Sequence, residues 1–269
     1  MAATTIAPTS APAGRSWQGG AAARGALGLG LFIALLEIIP RAGLVNPDYL
    51  PPFSDMAQAL VSELSSGEFW SALLETIRGW AIGLAIATAA GVAIGVLIGS
   101  IGWLREATAS TIEFLRPIPS VALIPLAVLL FGTDMKATLI LVVYASFWQV
   151  LLQVLYGVQD VDPVAHETAR SYGFSRLTQV RTVIWPTALP YVMTGFRLAA
   201  SVALILEITG ELIIGSPGLG KQIGVAQSSG AVDTMYALVI VTGLLGVAMN
   251  VITHHGTARP ALAPVVPEG

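Results

Sequence analysis

Glu207 and Glu211 stand four residues apart in an otherwise apolar stretch. On a helix that spacing puts both carboxylates on one face. There they can line a vestibule, hold a neighbouring element or mark a membrane boundary. Just beyond them, residues 215–222 read Gly-Ser-Pro-Gly-Leu-Gly-Lys-Gln. This departs from the phosphate-binding pattern G-x-x-x-x-G-K-[ST] at its last position. Gln222 replaces the hydroxyl that binds magnesium, and the segment follows an apolar helix rather than a buried strand. It is read as a glycine-rich outer or re-entrant segment, with Gly218 and Gly220 in a gate, or as a plain loop, and not as an ATP site.

Other chemistry is sparse. The chain has no cysteine, which excludes disulfides, a thiol nucleophile and thiolate metal sites. His166, His254 and His255 are too scattered to suggest a metal cluster. No catalytic residue, metal site or cofactor is expected. Arg197 interrupts an apolar run and is expected to pair with a carboxylate, with snorkelling or a pathway position as alternatives. Gln149 and Gln153 suit hydrogen bonding between helices, and Glu37 suits a boundary position.

These residues need an apolar scaffold. Hydrophobic residues make up 55% of the 269 and charged residues 11%, too few to cover a soluble surface. A net charge of −3 excludes a nucleic-acid binder that relies on a basic surface. Residues 79–104, 117–133, 137–159 and 234–258 contain no Asp, Glu, Lys or Arg, and 182–206 contains only Arg197. About 20 residues cross a bilayer core. With a first span near residues 25–39, the pattern predicts an all-α polytopic membrane protein of about six transmembrane helices. Pro117, Pro119 and Pro125 should break or bend the third span, which then faces the interior. Gly83, Gly91, Gly95 and Gly99 form a stripe for close helix packing. The expected organisation is a disordered tail at 1–20, a permease domain at 21–255 and a tail at 256–269. A signal peptide with Arg15 and Arg24 at its start is the alternative for the first span. However, Glu37, Pro40 and Arg41 stand where cleavage would occur.

With the N-terminus in the cytoplasm, inner segments carry Arg15, Arg24, Arg105, Arg116, Arg170, Arg176, Arg181 and Arg259. Outer segments carry Arg41, Lys136 and Lys221. This bias predicts both termini inside. One long inner segment, 160–186, reads as two short helices. Asp162 and Ser175 suit N-caps, Pro163 a first helical position and Gly173 a left-handed stop. Pro186 and Pro190 mark the next span.

Within that segment, Glu167-Thr168-Ala169, then Gly173, then Val183-Ile184-Trp185-Pro186 resembles the E-A-A…G…I-x-L-P loop of ATP-binding-cassette (ABC) importer permeases, in spacing throughout. Thr168, Val183 and Trp185 are departures. Residues 113–119 and 218–220 look like the nitrate, sulfonate and taurine branch. The resemblance implies a homodimeric permease in a bacterial inner membrane. It also implies cytoplasmic ABC ATPase subunits, an extracytoplasmic solute-binding protein, surrounding lipid and a small anionic or zwitterionic solute. ATPase coupling would fall to Pro163, Ala165, Glu167, Ala169, Gly173 and Pro186. Ala165 and Ala169 would allow close approach, and Glu167 would accept a hydrogen bond within the loop or from the ATPase. The alternatives are an ion-coupled secondary transporter and an intramembrane enzyme. The first should show mid-membrane carboxylates and the second a nucleophile–base set.

Overall fold

The computed structural model describes residues 18–255, with side chains described for 23–253. Residues 1–17 and 256–269 of the two expected tails, Arg15, Arg259 and the side chains of His254 and His255 lie outside the described residues, whereas residues 18–20, expected in the first tail, begin the first helix. The fold is all-helical and divides into two compact units after Ala57.

In the first unit, α1 (Gln18–Arg41) contains a 19-residue apolar stretch, Ala23–Arg41, with its leucines largely exposed. Near its end, Glu37 accepts hydrogen bonds from Ser54 N (2.9 Å) and Ser54 Oγ (3.1 Å) and pairs with Arg41 at 2.6 Å. Ser54 lies in the first turn of α2 (Phe53–Leu64), so Glu37 ties the two helix ends together.

The second unit is built on three long helices: α3 (Gly67–Ser100), α6 (Met135–Gln159) and α9 (Trp185–Ile214). The glycine stripe explains how α3 meets α6. Gly83, Gly91, Gly95 and Gly99 face Val142, Val150, Val154 and Val158 in the same register at every step. A methyl group on Gly91 would lie 2.8 Å from Val150 Cβ, so alanine there would push the helices apart. Constant register means that α3 and α6 run parallel. By contrast, Gly157 faces Ala188, Gly195 faces Val150 and Gly210 faces Thr138, so α9 runs antiparallel to α6.

Parallel helices require the intervening chain to travel back along their length, about 24 Å between the first and last glycine contacts. The return is made by α4 (Gly102–Leu115), a 3-10 turn at Ser120–Leu123 and α5 (Ile124–Phe131). The two halves are bent by 82°. The span expected at 117–133 is therefore bent as its prolines require, and its bounds are corrected to the broken pair Gly102–Leu115 and Ser120–Phe131. Pro117 and Pro119 lie in the break, and Pro125 opens α5. The first half was hidden because Arg105, Glu106 and Glu113 interrupt its apolar pattern. Arg116 also moves. Tyr144 Oη donates to the Leu115 carbonyl at 2.6 Å, so Arg116 lies along the bundle near the middle of α6 rather than in an inner loop.

The loop between α6 and α9 carries α7 (Pro163–Ser171), α8 (Arg176–Gln179) and a π turn, Val180–Ile184. The last two helices are α10 (Leu219–Ser229) and α11 (Val232–His255). Lys221 and Gln222 thus lie in α10 rather than in a plain loop. Among the described residues, four helices are long and apolar enough to span a membrane, or up to six when each bent pair counts as one span.

Candidate functional site

The sequence-predicted residues fall at opposite ends of the three-helix core. At the end where α6 stops, local chemistry builds α7. Asp162 Oδ1 accepts from Val164 N at 2.8 Å, and Pro163 opens the helix. Gly173, at φ 73°, closes it, with Gly173 N on Arg170 O and Phe174 N on Ala169 O, both at 3.0 Å. Ser175 Oγ then caps α8 through Thr178 N at 3.3 Å. Tyr191 of α9 donates to Asp160 at 2.8 Å, and Gly157 packs on Ala188. Both ends of the loop are thereby fixed to the core.

The loop's outer surface is open. Val164, Tyr172 and Leu177 are 69%, 79% and 77% exposed. Ala165, Glu167, Gly173 and Pro186 are exposed too, and no described residue bonds the Glu167 carboxylate. The two alanines do not share an open face. Ala165 points outward, whereas Ala169 is buried against its own chain and seats α7.

At the opposite end, polar groups are closed over. Glu207 and Glu211 are 1% and 0% exposed. Glu211 Oε2 accepts from Thr76 Oγ1 (3.0 Å) and Gly220 N (2.8 Å), and Thr76 Oγ1 accepts from Leu219 N (2.9 Å). Thr138 and Ser216 share a hydrogen bond of 2.6 Å. Glu207 packs against Gly79, and Glu211 against Gly218 and Gly220. A methyl group on Gly220 would lie 2.6 Å from Glu211 Cβ, and Gly218, at φ 152°, would bring one onto the Glu211 carboxyl. Glu207 Oε2 and Glu211 Oε1 are buried without a hydrogen-bond partner. The Gly220 N–H, which a phosphate loop would offer to a phosphate, instead binds a carboxylate. That arrangement excludes ATP at 215–222.

Thr76 was missed because its partners lie more than a hundred residues away in sequence. The signal present was the small and apolar stripe Phe69, Ala72, Thr76, Gly79 and Gly83, which extends the buried face of α3 past Glu75 and Arg78. Arg197 departs from expectation. It is half-buried, its Nε has no hydrogen-bond partner, and no described carboxylate lies within 4.0 Å. Gln149 and Gln153 are half-buried beside Gly195 of α9, and His166 is exposed on α7. No group of three metal-ligating side chains occurs among the described residues.

Residues 91–258 match the family described as the binding-protein-dependent transport system inner membrane component. The chain belongs to this family. A nitrate import permease of Leptolyngbya laminosa is 27% identical over 198 residues, 74% of this chain and 71% of that protein. A taurine transport system permease of Escherichia coli (strain K12) is 29% identical over 227 residues, 81% and 82% of the two chains. In fold, the chain resembles the inward-facing MetNI methionine ABC transporter, with TM-score 0.61 at 17% identity, covering 71% of this chain and 94% of that one. As a binding-protein-dependent inner membrane component it is a multi-pass helical protein.

Proposed function

We propose that this chain is the permease subunit of an ABC importer for a small anionic or zwitterionic solute such as a sulfonate, taurine or nitrate. The observation that carries the reading is the α7 loop. It combines the family's spacing with a rigid mount on α6 and α9 and an exposed apolar surface. Such a patch marks an interaction site when it is contiguous and open. A cytoplasmic ATPase subunit docks there, and ATP-driven closure moves α7 as a lever. The chain works as a homodimer with two ATPases and receives solute from a binding protein at the carboxylate end. Both termini are cytoplasmic. ATP hydrolysis belongs to the partner, and the chain itself is not an enzyme. Glu211, through Gly220 and Thr76, holds α10 as part of the outer gate.

The nitrate and taurine relatives support the solute class. A lone ion-coupled carrier is not favoured, because Glu207 and Glu211 are sealed rather than open to a pathway. The test is Gly173→Arg, which places a bulky cation in the docking surface. ATPase copurification and solute-stimulated ATP hydrolysis should both fall at least tenfold. Retention of both would remove α7 from the coupling mechanism.

A further inference from the structure

A cavity of about 620 Å³ lies between α4 and the open side of α6. Its charged and polar lining is Arg105 and Glu113 from α4, Arg116 just after it, and Tyr156 and Gln159 from α6. No described carboxylate lies within 4.0 Å of either guanidinium. Two positive charges therefore face one negative charge, that of Glu113. Glu106 is exposed on the same helix but does not line the cavity.

The cavity starts at the last residue of α6, Gln159, and reaches Arg116 near mid-bundle. Lipid does not suit this side of α4. Between Trp103 and Phe114 its exposed side chains are Glu106, Ala107, Ala109, Ser110, Thr111 and Glu113. A spanning element with such a face looks onto water or protein. Guanidinium groups at this depth that face a water-filled cavity mark a path for an ion or a charged solute, and two of them against one carboxylate favour an anion.

We infer that this cavity is an anion subsite on the translocation path, in which Arg105 and Arg116 hold the oxyanion head of the solute in the half nearer α7. The inference rests on the permease reading and adds to it the residues and the charge selection. A guanidinium fork matches two oxygens of a sulfonate or nitrate. Tyr156 Oη and the Gln159 amide supply further donors. Glu113 opposes the anion and keeps binding weak enough for release, as conduction requires. The cavity at the carboxylate end has the reverse balance, with Glu63, Glu68 and Glu75 against Lys221.

The complete importer, reconstituted in phosphatidylcholine vesicles with and without phosphatidylglycerol, tests this with ethanesulfonate, nitrate and zwitterionic taurine as probes. Arg116→Gln should cut ethanesulfonate and nitrate uptake about tenfold, the scale of one lost charge-assisted contact, and taurine uptake less. Arg116→Lys should restore most of it. Glu113→Gln should widen the preference for ethanesulfonate over taurine, where Arg116→Gln narrows it. Equal losses for all three probes without rescue by lysine would overturn the inference and leave the permease reading standing. An effect confined to phosphatidylglycerol vesicles would also overturn it, by assigning the cavity to a lipid phosphate. Uptake of none of the three by the unaltered importer would sink the proposed solute class, and this subsite with it.

Discussion

The two ends of the α3–α6–α9 core solve opposite problems. At the α7 end, capping is local and the surface is left open. Asp162, Gly173 and Ser175 satisfy backbone groups within a few residues, while Val164, Tyr172 and Leu177 remain uncovered. At the carboxylate end, satisfaction is long-range and the two carboxylates, Glu207 and Glu211, are closed over. Thr76, Glu211, Leu219 and Gly220 belong to three different helices. An open end suits a partner that arrives and moves. A closed end suits a joint that must hold while the rest moves.

That contrast can be broken or sharpened by substitution. The largest expected effect is all-or-none. The chain has no native cysteine, so Ser175→Cys and Ser229→Cys can be labelled singly. An impermeant thiol reagent outside intact cells should label position 229 and spare 175. The reverse pattern would invert the orientation and remove α7 from the cytoplasm.

Next comes Gly220→Val, whose side chain would collide with Ile208 O and Glu211. It should cost about 3 kcal/mol or more, read as a fall in thermal midpoint in detergent. Gly173→Arg, in open space at φ 73°, should cost about 1 kcal/mol while abolishing docking. Equal destabilisation by the two would erase the distinction between a closed and an open end.

A smaller loss, about 2 kcal/mol, is expected for Thr76→Val, which leaves Leu219 N–H buried without its acceptor and removes a donor from Glu211. Glu207→Gln should disturb assembly or coupling more than apparent solute affinity, because the side chain packs on Gly79. A solute-bound structure with the solute touching either carboxylate would contradict this.

The same contrast explains what could be read from the residues alone. The caps of α7 and α8 were legible because Asp162, Pro163, Gly173 and Ser175 act on their immediate neighbours. The glycine stripe was legible because small residues at helical spacing have one physical use in a membrane. The early start of α3 was not, because Glu68, Glu75 and Arg78 broke the apolar run while the buried face continued beneath them. The α4 half of the third span was lost for the same reason. The separate roles of Ala165 and Ala169 depended on which side of α7 the core occupies, and spacing along one helix carries no such information. The network at Glu211 was legible only as a pair of carboxylates, since Thr76 is brought there by the tertiary fold.

The central claim is that the open surface of α7 is where an ATPase subunit docks. Ala165→Cys places one thiol on that surface in a cysteine-free chain. In membranes containing the assembled importer, a short bifunctional thiol reagent should link it to the ATPase carrying a single cysteine in its facing groove. The yield should change between nucleotide-free and ATP-bound states. An assembled, ATP-hydrolysing complex that gives no link from position 165 in either state would contradict the account.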